Sequence, residues 1–116
     1  MVKDARLFYS RAIEFALNAT VSDEIDITNV ALVGIFFPAA FTDTTVYFDA
    51  YNNVSNAWVP IYRDDGVQLS TTIANNAARA VGLDGIAGYL APWAKIRLRT
   101  TSQQAAKRTI LVNCKA

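Results

Sequence analysis

The side chains that carry most acid–base, nucleophilic and metal chemistry are scarce in this chain of 116 residues. Histidine is absent, which removes the commonest general base and the commonest transition-metal ligand together. The one cysteine, Cys114, lies near the end of the sequence in a strand-like run. It reads as a buried, inert thiol, and alone it forms no intrachain disulfide. Acidic residues gather as Asp23, Glu24 and Asp26 and again as Asp64 and Asp65. Neither group has the spacing of a calcium loop, so both read as solvated charge beside turns. A carboxylate pair for glycoside hydrolysis needs a cleft, which a domain this small rarely provides. No glycine-rich phosphate loop is present. These residues predict no catalytic site, no cofactor and no bound metal.

Charge and aromatic surface remain. Lys95, Arg97 and Arg99 share one face of the strand-like segment KIRLRT, and Lys107 and Arg108 are placed on its neighbour. They form either an electrostatic strip for an acidic protein surface or the polar face of an amphipathic strand. The formal net charge of +1 argues against nucleic acid, and it makes dense packing of identical subunits electrostatically easy. Tyr47, Tyr51, Trp58 and Tyr62 suit a sugar-stacking platform or one face of a core, and the core is favoured. The apolar stretch LVGIFFPAAF, Leu32 to Phe41, is half the length of a membrane span and contains a proline, so no membrane contact is expected. Its last residues, Phe37, Pro38 and Phe41, come where a strand must end. They read either as local packing or as a rim that another subunit covers.

The elements that must hold these residues follow a period of two. Ile13 and Phe15, Ile25 and Ile27, Val46, Phe48 and Ala50, Leu69 and Ile73, and Ile96 and Leu98 each alternate with polar or aromatic neighbours. RTILVNC adds a last apolar strand. Val30 to Phe37 is apolar on both parities, as in a central strand covered on both faces. Asp64-Asp65-Gly66 is a hairpin signal, and Asn52-Asn53 and Asn75-Asn76 mark turns. The opening segment to Leu17 fits a helix or a strand; an arm to about Ser10 followed by a strand is favoured. Two glycines and Pro92 limit LDGIAGYLAPW to one short helical turn near residues 84–90. The expected fold is all-β: one domain over residues 1–116, with an arm at 1–10 and an antiparallel sandwich or jelly roll of about eight strands over 11–116.

The order of features resembles a family. An I-x-x-P-x-x-[FW]-T turn (Ile35, Pro38, Phe41, Thr42) leads to a T-x-x-F strand and a Y-D-x-x-G hairpin. An R-x-[IV]-x-L-D segment (Arg79, Val81, Leu83, Asp84), the strand KIRLR and a Q-A-A-x-R-T-I end follow. From about residue 22 to residue 112 this series is similar to small β-sandwich virion proteins of tailed bacteriophages. The chain departs from the pattern in its aromatic-rich start, Met1 to Arg11, and in Arg63, inserted between Tyr62 and Asp64.

For a capsid member, the resemblance implies a decoration or cement protein. It would be made in the bacterial cytoplasm, sit on the capsid surface, and clamp adjacent major capsid proteins. It would also associate with itself as a dimer or trimer. Leu7, Phe8, Tyr9 and Arg11 are then candidates for a docking arm. Phe37, Pro38, Phe41, Tyr89 and Trp93 are candidates for self-association, and Lys95, Arg97 and Arg99 for a partner surface. The competing expectation is a carbohydrate- or receptor-binding module with Trp58, Tyr47 or Tyr51 in a groove beside Asp or Asn. A tail or neck subunit is the third.

Overall fold

The computed structural model describes residues 8–73 and 77–116. Nine strands and one helical turn follow in order: β1 (Phe8–Phe15), β2 (Ile25–Asp26), β3 (Ala31–Phe37), β4 (Thr45–Asn52), β5 (Ala57–Pro60), β6 (Ser70–Thr72), β7 (Arg79–Gly82), α1 (Ala87–Leu90), β8 (Lys95–Arg99) and β9 (Arg108–Lys115). One sheet has the order β1-β9-β3-β7; the other has β2-β8-β4-β5, with β6 also paired to β4. All the strand pairs are antiparallel. The two sheets face each other as a β-sandwich, and the single helical turn falls inside the predicted loop.

Alternation explains which face each strand buries. Ile13 and Phe15, Val46, Phe48 and Ala50, Ile96 and Leu98, and Ile110, Val112 and Cys114 all point into one shared core. Ile25 and Ile27 join them from β2 and the loop after it. Cys114 is fully buried, and Arg11 Nη2 lies 3.7 Å from its sulfur.

Strand β3 departs from its expectation. It is covered on one face only, because Phe36 lies exposed on the outside of the sheet. Its apolar residues fall on both parities because of a bulge against β9 between Leu32 and Gly34. The extra residue turns Leu32 inward along with Ile35 and Phe37, which have the opposite parity. Gly34 fits this irregularity, since a Cβ there would meet the Val81 carbonyl oxygen at 3.4 Å.

Two further expectations are corrected. The predicted arm is shorter than ten residues: the chain is already strand at Phe8, the first described residue of this segment, and Phe8, Tyr9 and Ser10 pair in regular register with Lys115, Cys114 and Asn113. Leu7 and the residues before it lie outside the described residues, as does the expected Asn75-Asn76 turn. Phe37 and Phe41 do not form an uncovered rim. Both are buried, and Phe41 packs edge-on against Phe15 at 5.2 Å and Phe37 at 5.0 Å between ring centroids. The core therefore continues to this end of the sandwich as an aromatic plug.

Candidate docking site

The end of β4, the whole of β5 and the loop before β8 come together at the other end. Their sequences explain the shape. Asn52 accepts from the Val54 and Ser55 amides, which closes the β4–β5 turn, and Asn56 takes a positive φ of 54° within it. Pro60 ends β5. The Asp64–Gly66 turn forms as expected: the Gly66 and Arg63 amides donate to the Arg63 and Val67 carbonyls, and Gly66 takes a φ of 86°. Tyr89 of α1 donates to Asp64 Oδ1 at 3.2 Å, and Trp93 Nε1 donates to the Tyr89 carbonyl at 2.9 Å. The charge of Asp64, and the hydrogen bond it accepts, push the Tyr89 phenol above its ordinary pKa. The hairpin tip and the loop at Pro92–Ala94 are thus tied together.

Between them lies an open groove of about 670 Å³, lined chiefly by Ala50, Val54, Val59, Ile61, Tyr62 and Trp93, with Asn52 and Asn53 at its edge. Val59 is opposite Ala50 in register and so belongs to the inner, core-facing side of its sheet. It is nevertheless 46% exposed, which means that the other sheet stops short of it. Tyr62 is 56% exposed, Trp93 40% and Val54 94%, so the lining is wet and apolar. A concave, largely apolar groove of this volume is the default candidate for a binding site.

The outer face of the same hairpin is different. Lys95, Arg97 and Arg99 do share one face, as expected, but they are tied down. Asp49, 2% exposed, accepts from Arg97 Nε at 3.0 Å and from Arg99 Nε at 3.1 Å. Lys95 lies 3.3 Å from Glu24, and Asp26 is its register partner. Each cation also sits over a ring: Arg97 is 4.7 Å from the Trp58 centroid, Arg99 5.0 Å from Tyr47 and Lys95 5.9 Å from Tyr51. The strip is therefore a rigid ladder whose charges are matched locally, not a free electrostatic patch. The neighbour expected from Lys107 and Arg108 is also absent, because Arg108 lies on β9 in the other sheet.

The aromatics are likewise corrected. Tyr47, Tyr51 and Trp58 are half-buried beneath these cations on the outer face instead of in the core, and Tyr62 is exposed at the groove. Of the predicted site residues, the structure brings Trp93 to the groove and places Tyr89 behind it. Tyr9 and Arg11 lie on β1, away from the groove. Pro38 ends β3, and its carbonyl accepts from Arg79 at 3.4 Å. The sequence reading missed Val54, Val59 and Ile61. Val54 carried the one usable signal, an isolated apolar residue inside the polar turn NNVSN.

Fold and groove together define an antiparallel β-sandwich with one finished end and one open end. Among solved structures it is similar to the SPBc2 prophage-derived protein YomS, with 14% identity, 95% of this chain and 96% of that chain covered, and a TM-score of 0.51. At that identity the likeness is one of fold. No protein-family model matches the sequence, and no curated protein matches it.

Proposed function

We propose that the chain is a structural protein of a bacteriophage virion, of the capsid decoration type, and that it acts by binding and not by catalysis. Two findings support the phage setting: the prophage origin of the fold neighbour and the collinear motifs from Ile35 to Ile110. One observation carries the binding role, the uncovered apolar groove at the open end.

The mechanism is a rigid clasp. The groove walls are held by the Tyr89–Asp64 and Trp93–Tyr89 hydrogen bonds, so little order is lost on docking. An apolar element of the major capsid protein fills the groove, with Trp93 and Tyr62 as the anchors. A specific contact buries about 1,200–2,000 Å² in total, and many copies on one shell act together by avidity.

Co-sedimentation with empty, expanded capsids of the phage that encodes the chain tests this reading. The wild-type chain is expected to pellet with the shells. Trp93→Ala should weaken binding by about 2 kcal/mol, roughly thirtyfold, if Trp93 is a hot spot. A chain that stays in the supernatant overturns the decoration role. Binding to purified tails or necks instead would move the same clasp to another part of the virion.

A second reading has its own support. Trp93 and Tyr62 stand beside the amides of Asn52 and Asn53, a combination that suits a sugar ring. Retention on a polysaccharide column, lost in Trp93→Ala, would favour a carbohydrate- or receptor-binding module. Trp58 does not belong to that platform, since Arg97 lies over its ring.

A further inference from the structure

The five outer strands of the two sheets are not alike. β2 has two residues, β6 has three, β7 has four, and β5 has four and ends in Pro60. Short edges and edge prolines are the usual protection against pairing with another chain. β1 has neither. It runs for eight residues, FYSRAIEF, without proline or a break in its register with β9.

The direction of its free backbone groups can be worked out. The Asp23 amide donates to the Glu14 carbonyl at 3.0 Å, and the Glu14 amide donates to Asp23 Oδ2 at 3.0 Å. Both groups of Glu14 therefore point away from β9. Amide directions alternate along a strand, so those of Ala12, Ser10 and Phe8 point the same way. Among the described residues nothing pairs with them. The open edge thus runs from Phe8 to Ile13 and is closed beyond that by Asp23.

We infer that β1 pairs antiparallel with β1 of a second copy across a two-fold axis at Ser10, joining the two four-stranded sheets into one. An antiparallel edge is complementary to itself, as an isologous interface requires. The register follows from the side chains. An axis at Ser10 sets Ser10 against Ser10 and the exposed Tyr9 against Arg11, a cation–π pair on each side of the axis. Arg11 is already held, because its Nη2 donates to the Asp26 carbonyl at 2.6 Å. An axis at Arg11 would oppose two guanidinium groups. An axis at Ala12 would set Ser10 against Glu14, whose backbone is already taken by Asp23. Joining the sheets also brings together two copies of an outer-face apolar row, in which Ala12, Leu111, Phe36 and Ala80 are register partners in turn. The inference stands independently of what fills the groove.

Light scattering coupled to size exclusion, on the full chain over a range of concentrations, tests it. A dimer is expected for the wild type. Ala12→Pro removes an amide that points away from β9, so it should abolish the dimer while leaving the circular dichroism and melting temperature of the monomer close to wild type. Ser10→Cys should form a disulfide-linked dimer on oxidation, since directly opposed hydrogen-bonded residues lie about 5.5 Å apart at Cα, within disulfide range. Glu14→Cys, at the covered part of the edge, should not. A wild type that stays monomeric overturns the inference. So does a dimer that survives Ala12→Pro and fails to cross-link through Ser10→Cys, or an edge that binds an extended segment of a different protein in place of its own copy.

Discussion

The two ends of this sandwich are built from the same strands and finished in opposite ways. At the start of β4 the core is plugged by Phe15, Phe37 and Phe41, and the loops around it are stitched by hydrogen bonds. Gln104 is fully buried there. Its side-chain amide accepts from the Thr42 N–H at 3.0 Å and donates to the Thr42 carbonyl at 2.9 Å, while its backbone pairs with Asn18 and Ala19. Asp43 holds the loop after β8 through Thr101 and Ser102. At the far end of β4 the loops are also hydrogen-bonded, but among the described residues no buried aromatic plug covers the core. Val54, Val59, Tyr62 and Trp93 are left in water although Val59 has core-facing parity. Stability is therefore concentrated at one end, and available contact surface at the other.

The sharpest break of this comparison is a truncation at the closed end. Phe41→Ala removes a buried ring from a three-ring cluster and should cost about 3–5 kcal/mol in urea unfolding. A loss below about 1 kcal/mol would mean that the plug is not part of the cooperative core. Gln104→Leu comes next. It leaves the half-buried Thr42 N–H and carbonyl without their partners, which costs about 1–3 kcal/mol. On the proposed clasp, co-sedimentation with capsids should be unchanged in Gln104→Leu under conditions where the variant is folded.

How far this division could be read from the residues depends on the range of the interaction. Ile25 and Ile27, Phe48 and Ala50, and Ile96 and Leu98 were legible because a period of two reports directly on a sheet with one covered face. The same logic placed Lys95, Arg97 and Arg99 together. It also held the answer for Tyr47, Tyr51 and Trp58. The first two alternate with Phe48 and Ala50, and Trp58 is register partner to Tyr51, so all three share the outer face with Asp49. β3 misled because one bulge converts two parities into one face, and a bulge leaves little trace in composition. The groove was illegible for a different reason. Val59 looks like a core residue locally, and only the length of the opposing sheet decides whether it is covered.

Acid sharpens the comparison from the closed end. Burial alone would raise the Asp43 carboxyl, but the hydrogen bonds from Thr44, Thr101 and Ser102 outweigh it and hold its pKa below the ordinary value. A carboxyl depressed in the folded state adds stability that is fully present above the unfolded pKa of about 4 and is lost as pH falls through the folded value. Asp43→Asn should therefore be less stable than wild type at neutral pH, with the gap closing as the solution is acidified below about pH 4. A gap that widens in acid would contradict the assignment of Asp43 as the staple.

The smallest effect on stability belongs to the open end, and it carries the most information. Val54 is 94% exposed at the tip of the β4–β5 turn, so Val54→Asp places a charge in water. Unfolding should shift by no more than about 0.5 kcal/mol. An apolar element seated in the groove, however, would meet that carboxylate at the groove's margin and leave it without its water. Co-sedimentation with capsids should then fall sharply while the melting temperature stays put. Loss of both together would make Val54 part of the fold instead of the clasp, and loss of neither would show that the partner approaches from the Trp93 wall and leaves the turn in water.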